Sequence, residues 1–275
     1  MPAQTTGTMK PIVISASAFA VVWCAAVAWR LSNLVQSSEL DAARFAILIA
    51  HQVMGLFFLG CGWAVYTRLQ GQAGVLFILY TICTAMHWAG PYPADTPLLK
   101  TALLLGFFLV SSTLGEALLV HFTLTFPRPW PIAARKGTLW ALYGPMIPAV
   151  AVSGAIVVTQ ATGGDPNAFM GIFALFAFLL PHLMGLLAII ILLIRWAKAG
   201  TRDRSRLGLT VMAFGNVLAI LPWLAAAAIE NLIPGLPVPG GLGTDPYVLA
   251  FVLIPLSFLY AASRVAKDSA AGRAP

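Results

Sequence analysis

Long apolar runs separated by short polar breaks dominate the chain. Eight stretches approach or exceed the roughly 20 apolar residues that a spanning helix needs: about 11–29, 45–66, 73–89, 101–126, 139–159, 169–194, 207–229 and 247–263. The third is short and ends in Gly90-Pro91-Tyr92-Pro93. Links such as Thr162-Gly163-Gly164-Asp165-Pro166 and the Pro/Gly-rich segment 233–246 cannot continue a helix, which makes them natural exits from a membrane. Only helices and closed barrels cross hydrocarbon, and these runs are too long and too uniformly apolar for barrel strands. The pattern predicts an all-α fold, a polytopic transmembrane helix bundle of about eight spans forming one domain over 1–275.

Charge orients that bundle. With the N-terminus inside and the chain alternating, thirteen of the sixteen basic residues fall inside: Lys10; Arg68; Arg128, Arg135, Lys136; Arg195, Lys198, Arg202, Arg204, Arg206; Arg264, Lys267 and Arg273. Only Arg30, Arg44 and Lys100 fall outside, where Glu39, Asp41, Asp95, Asp165, Glu230 and Asp245 also lie. The positive-inside rule therefore predicts N-in/C-in. Trp29, Trp88, Trp130, Trp140 and Trp196 stand at predicted span ends, where an indole can be half wet. Lys10, the first apolar run and Ala26-Val27-Ala28 share features with a cleavable signal. The run is longer than a signal core, so a retained helix is expected.

Composition agrees. The 275 residues are 60% hydrophobic and 9% charged, against about 25% charged in a soluble domain. A net charge of +7 raises nucleic-acid binding, but the basic residues sit in short loops between apolar runs, as topology signals and anionic-lipid contacts do. No nucleic-acid partner is expected; membrane lipids are. Cys24, Cys61 and Cys83 lie inside apolar runs without CxxC spacing, so they read as small packing residues.

Candidate chemistry is sparse. Glu116 alone among the charged residues sits well inside a span, beside Ser111, Ser112 and Thr113. An intramembrane acid is either proton-linked or ligand-contacting, or else a neutral, hydrogen-bonded packing residue. His182 follows Pro181 mid-span, where the proline frees a carbonyl for a polar neighbour; it reads as structural or as a polar cavity wall. His51 and His87 lie at matching depth on the second and third spans, with Met54 and Met86 nearby. Neutral imidazoles so placed can ligate haem or copper, although hydrogen-bonded packing is the simpler reading. HExxH, GxSxG and phosphate-loop signatures are missing. No enzyme and no obligatory cofactor is expected, with haem or copper as the alternative.

Two stretches resemble a known family. The fourth span ends Leu119-Val120-His121-Phe122-Thr123-Leu124-Thr125-Phe126-Pro127-Arg128-Pro129, and the last reads Leu253-Ile254-Pro255-Leu256-Ser257-Phe258-Leu259-Tyr260-Ala261-Ala262-Ser263-Arg264. Together they resemble the membrane input region of competence-type quorum-sensing histidine kinases and related bacterial sensors, best over 100–264. The resemblance implies a bacterial cytoplasmic-membrane sensor module. In such sensors Arg264 would lead into a phosphoacceptor histidine and an ATPase domain, whereas only about eleven residues follow here. The expectation is thus a non-enzymatic module that signals through a membrane or cytoplasmic partner. Pro127 is expected to end its helix and push Phe126 out of helical geometry. His121, Phe122 and Phe126 form an aromatic cuff in this reading, and with Pro127 and Arg128 a candidate docking site. A haem- or copper-binding subunit using His51 and His87 is the alternative. A small transporter centred on Glu116 and His182 is the second.

Overall fold

The computed structural model describes residues 6–36, 42–69, 71–92, 94–232 and 250–270, and among them every regular element is a helix. In chain order these are α1 (Thr6–Gln36), α2 (Ala42–Arg68), α3 (Gln72–Ala89), α4 (Pro97–Phe108), α5 (Gly115–Thr125), α6 (Lys136–Tyr143), α7 (Met146–Ala161), α8 (Asn167–Ala174), α9 (Leu180–Lys198), α10 (Thr201–Arg206), α11 (Leu209–Leu232) and α12 (Leu253–Ala270). Two π-helical turns, Leu109–Leu114 and Leu175–Leu179, join α4 to α5 and α8 to α9 without ending the helix.

Seven helical segments among the described residues are long and apolar enough to cross a membrane: Lys10–Gln36, Leu48–Arg68, Gln72–Ala89, Pro97–Thr125, Lys136–Ala161, Asn167–Lys198 and Ala250–Ala270. They match seven of the expected spans. The remaining one, 207–229, coincides with α11, whose apolar stretch among the described residues, Leu209–Leu221, is shorter. The expected link 233–246, including Gly240-Gly241-Leu242-Gly243, lies outside the described residues. Large apolar side chains such as Val22, Ile147, Val158, Leu183 and Leu218 stand on the helix exteriors, more than half exposed. Water would penalise that surface and lipid does not. The chain is an all-α, polytopic helix bundle of the multi-pass membrane type.

The chain forms two compact units, Met1–Ala188 and Ile189–Pro275. In the first, α2 and α3 pack antiparallel in tight register. Gln52 Nε2 donates to Ala89 O (2.7 Å), Gly55 faces Ala85, and Gly62 faces Ile78 and Thr81. Glycine allows this because a methyl group at Gly55 would stand 2.7 Å from Ala85 O. α1 completes the layer through Val13, Ala20 and Trp23 against Leu59, Ile78, Ile82 and Ala85. Trp63 Nε1 donates to Ser17 Oγ (3.1 Å) and Trp23 Nε1 to Gly90 O (3.0 Å). Gly90, at φ 81°, closes α3 in a left-handed conformation that favours glycine. A second apolar cluster joins α4, α7 and α8 through Leu105, Ala149, Ile156, Phe173 and Ala177.

In the second unit, α11 and α12 touch at small residues. A methyl at Gly215 would stand 2.8 Å from Ser257 Cβ, and Gly208 lies against Ala261. Asn216 Nδ2 donates to Met212 O (2.7 Å) and Ser257 Oγ (3.1 Å), the interhelical hydrogen bonding typical of apolar bundles.

Candidate functional site

Several polar residues inside the spans gather where the two π turns meet. Ser111, Ser112 and Thr113 occupy the first turn. The second turn has a local cause. Leu180 N–H donates to Leu175 O, five residues back, so Phe176 O would next require the N–H of residue 181. That residue is proline and has none. Thr113 Oγ1 supplies the bond from the other helix, donating to Phe176 O at 2.9 Å. The expected freed carbonyl thus exists, and a threonine on a neighbouring span serves it. His182 instead bonds within its own helix, Nδ1 donating to Phe178 O at 2.5 Å.

Glu116 lies one turn beyond Thr113. Its Oε2 is enclosed and has no hydrogen-bond partner, and neither has the enclosed Ser111 Oγ. Opposite stands Gly185, where a methyl group would reach 3.1 Å from Oε2. Gly185 is what allows the carboxyl to approach α9, and it shares a helix face with His182, three residues earlier. Gly115 lets the same helix press on α3, since a methyl there would meet Cys83 Cβ at 3.2 Å. Ser112 Oγ is within 3.4 Å of His87 Nδ1, and the His87 ring stacks on Phe107 (centroids 6.1 Å, interplanar 14°). A carboxyl oxygen enclosed without a donor is best accommodated when the group is protonated or when a donor reaches it.

His51 and His87 both pack against Trp88, with ring centroids at 5.5 and 6.2 Å. Among the described residues no three His, Cys, Asp or Glu side chains gather in a metal-binding group. The three cysteines are buried and free.

At the end of α5 the proline acts as expected: the helix closes at Thr125 and Phe126 is extended (φ −109°, ψ 144°). His121, Phe122 and Phe126 are buried. Phe122 packs between Phe77 (4.9 Å) and Phe126 (5.2 Å), while His121 Nδ1 meets Tyr143 Oη at 2.9 Å and Nε2 lies 3.4 Å from Gln72 Nε2. These three residues bind helices of their own unit, and Arg128, just past Pro127, is the exposed member of the set.

The basic segment 195–206 is also internally engaged. Arg204 Nε donates to Trp196 O (2.9 Å) and Ala199 O (2.8 Å), Nη2 to Ala197 O (3.1 Å), and the guanidinium lies 4.4 Å over the Trp196 ring. Arg204 thereby serves the carbonyls at the C-terminus of α9. Arg206 pairs with Asp268 at 2.6 Å. Arg202 and Lys198 are exposed.

Sequence reasoning found Glu116, the Ser-Ser-Thr run and Pro181 separately. It missed Gly185, Gly115 and the pairing of the π turns, for which only the glycine-proline spacing near Glu116's partner helix carries any signal. No family model, curated protein or solved structure matches the chain.

Proposed function

We propose that the chain is a non-enzymatic, multi-pass sensor-type module of the bacterial cytoplasmic membrane, oriented N-in/C-in, which passes a signal to a partner protein. One observation carries the reading: an enclosed, unpartnered carboxyl oxygen of Glu116 sits beside two π turns that share a hydrogen bond. A π turn holds one residue more than the α register and is often found at functional sites. Protonation of Glu116, or a donor delivered to it, changes the balance between registers and so shifts α5 and the helix end at Pro127. The resemblance of residues 100–264 to bacterial sensor inputs supports the same reading. Arg128, Arg202, Lys198 and Lys267, all exposed, are the candidate partner contacts.

The test is photo-crosslinking in cells from positions 128, 202 and 267, in the wild type and in Glu116→Gln. One signalling protein should be trapped, with a yield that the substitution changes. No trapped partner from any position, or identical yields, refutes the reading.

The same carboxyl favours a second reading, a proton-linked transporter centred on Glu116 and His182. A proton flux in proteoliposomes that Glu116→Gln abolishes would select it. A haem or copper subunit using His51 and His87 would declare itself by absorption and metal analysis of the purified protein.

A further inference from the structure

A partly open cleft of about 510 Å³ lies between α1, α3 and the α4–α5 span, away from any link. Its volume falls within the roughly 300–1,000 Å³ of small-molecule sites. Phe19, Trp23, Met86, Leu103, Gly106 and Leu118 are among its walls, and no charged or hydroxyl side chain lines it. The Trp23 indole N–H is already donated to Gly90 O. The cleft therefore offers an occupant no hydrogen bond and suits hydrocarbon. On the α4–α5 side the wall runs from Ala102 to Leu118, roughly 24 Å at the helical rise.

One end of this slot is marked by charge. Lys100 stands three residues before Leu103, on the same face of α4 and one turn beyond the apolar wall. It is exposed and has no ion-pair partner among the described residues. Arg30 continues the Trp23 face of α1 two turns further on, held by Asp95. α1 and α3 finish at this end and α4 begins there. In the orientation expected from charge, Lys100 and Arg30 are two of the three basic residues on the side that the positive-inside rule leaves bare. Topology gives no reason for a cation here; an anionic head group does.

We propose that the cleft binds a single-chain anionic amphiphile, a long-chain carboxylate, with its chain along the α4–α5 wall and its carboxylate at Lys100. The π turn Leu109–Leu114 contributes Val110 and Leu114 to this wall while its Thr113 bonds Phe176 O of the second π turn. Occupancy would therefore bear on the turn that the sensor reading uses. Binding itself does not depend on that reading.

The test is tryptophan fluorescence of the full chain in nanodiscs, titrated with dibromostearate, dibromostearyl alcohol or a brominated phosphatidylcholine. Dibromostearate should quench saturably, and Trp23→Phe should remove most of the quenching. Lys100→Gln should weaken binding about fivefold, the effect of one cation near a membrane surface, and the alcohol should bind the wild type as weakly. Gly106→Leu should abolish binding by filling the slot. A side chain at Gly106 meets nothing within 4 Å, so this variant keeps the helices in place, as circular dichroism will verify. Non-saturable quenching, undiminished binding in Gly106→Leu, or equal binding of the phosphatidylcholine would overturn the proposal.

Discussion

Gly55→Ala tests how closely α2 is held against α3. A Cβ at Gly55 would stand 2.7 Å from Ala85 O and 3.3 Å from Ala85 Cα, where ordinary contact begins at 3.4 Å. The obstacle is backbone, so no rotamer change relieves it, and α2 must move away from α3 by roughly 0.7 Å. A gap of that size forfeits a quarter to a half of each contact, and each is worth about 0.1–0.2 kcal/mol. Over a few dozen facing atom pairs the loss is about 1–2 kcal/mol, within the range of about 1–3 kcal/mol measured for overpacking. The Gln52–Ala89 hydrogen bond one turn away would lengthen as well. Gly60, on the same helix, has nothing within 4 Å of its Cβ position and is exposed. Gly60→Ala should therefore stabilise by about 0.5–1 kcal/mol through helix propensity alone. Gly62→Ala should cost at least as much as Gly55→Ala, because its Cβ would press on Thr81 Oγ1 and stand 2.9 Å from Thr81 Cβ, which no side-chain rotation moves. Unfolding by SDS in mixed micelles, followed by circular dichroism, ranks the three. If Gly55→Ala were as stable as Gly60→Ala, the close register of α2 on α3 would be wrong.

Three further outcomes are expected. Thr113→Val removes the donor to Phe176 O and should lower stability by about 0.6 kcal/mol, the average for hydrogen bonds between membrane helices; thermal unfolding measures it. Arg204→Gln should loosen the C-terminus of α9 by about 1–3 kcal/mol, since it strips a charged donor from Trp196, Ala197 and Ala199 carbonyls. Arg204→Lys should not restore it, for an ammonium cannot reproduce the fork or the stacking on Trp196, and limited proteolysis near 200 reports both. Arg206→Glu and Asp268→Arg should each destabilise the α10–α12 contact by more than about 1 kcal/mol, because Asp268 is buried and each reversal sets two like charges together, and the double exchange should recover most of it.

Legibility differed sharply between fold and site. Seven spans match their expected runs because an apolar stretch of membrane length has no other folded use, and each run reports its own helix without help from the rest. Pro127 likewise announced the end of α5 by local sterics, and Phe126 is extended as that requires. Which face each helix turns inward was not legible, because runs that are apolar all round carry no amphipathic stripe. His121, Phe122 and Phe126 read as an aromatic cuff at the helix end, and only the packing shows that they are buried against helices of their own unit. Glu116 was conspicuous, yet its lack of a partner, and the glycine that admits it, depend on where α9 lies.

The amino-acid order alone thus determined that the chain is a stack of apolar helices, where most of them start and stop, and that one carboxyl lies within. Tertiary structure decided that two π turns face each other, that Thr113 serves the carbonyl stranded by Pro181, and that an apolar cleft opens between α1, α3 and the α4–α5 span. The division has a physical cause. Transfer into lipid acts on each segment separately and is written in its composition, whereas hydrogen bonding and close packing between helices require partners that distance along the chain does not reveal.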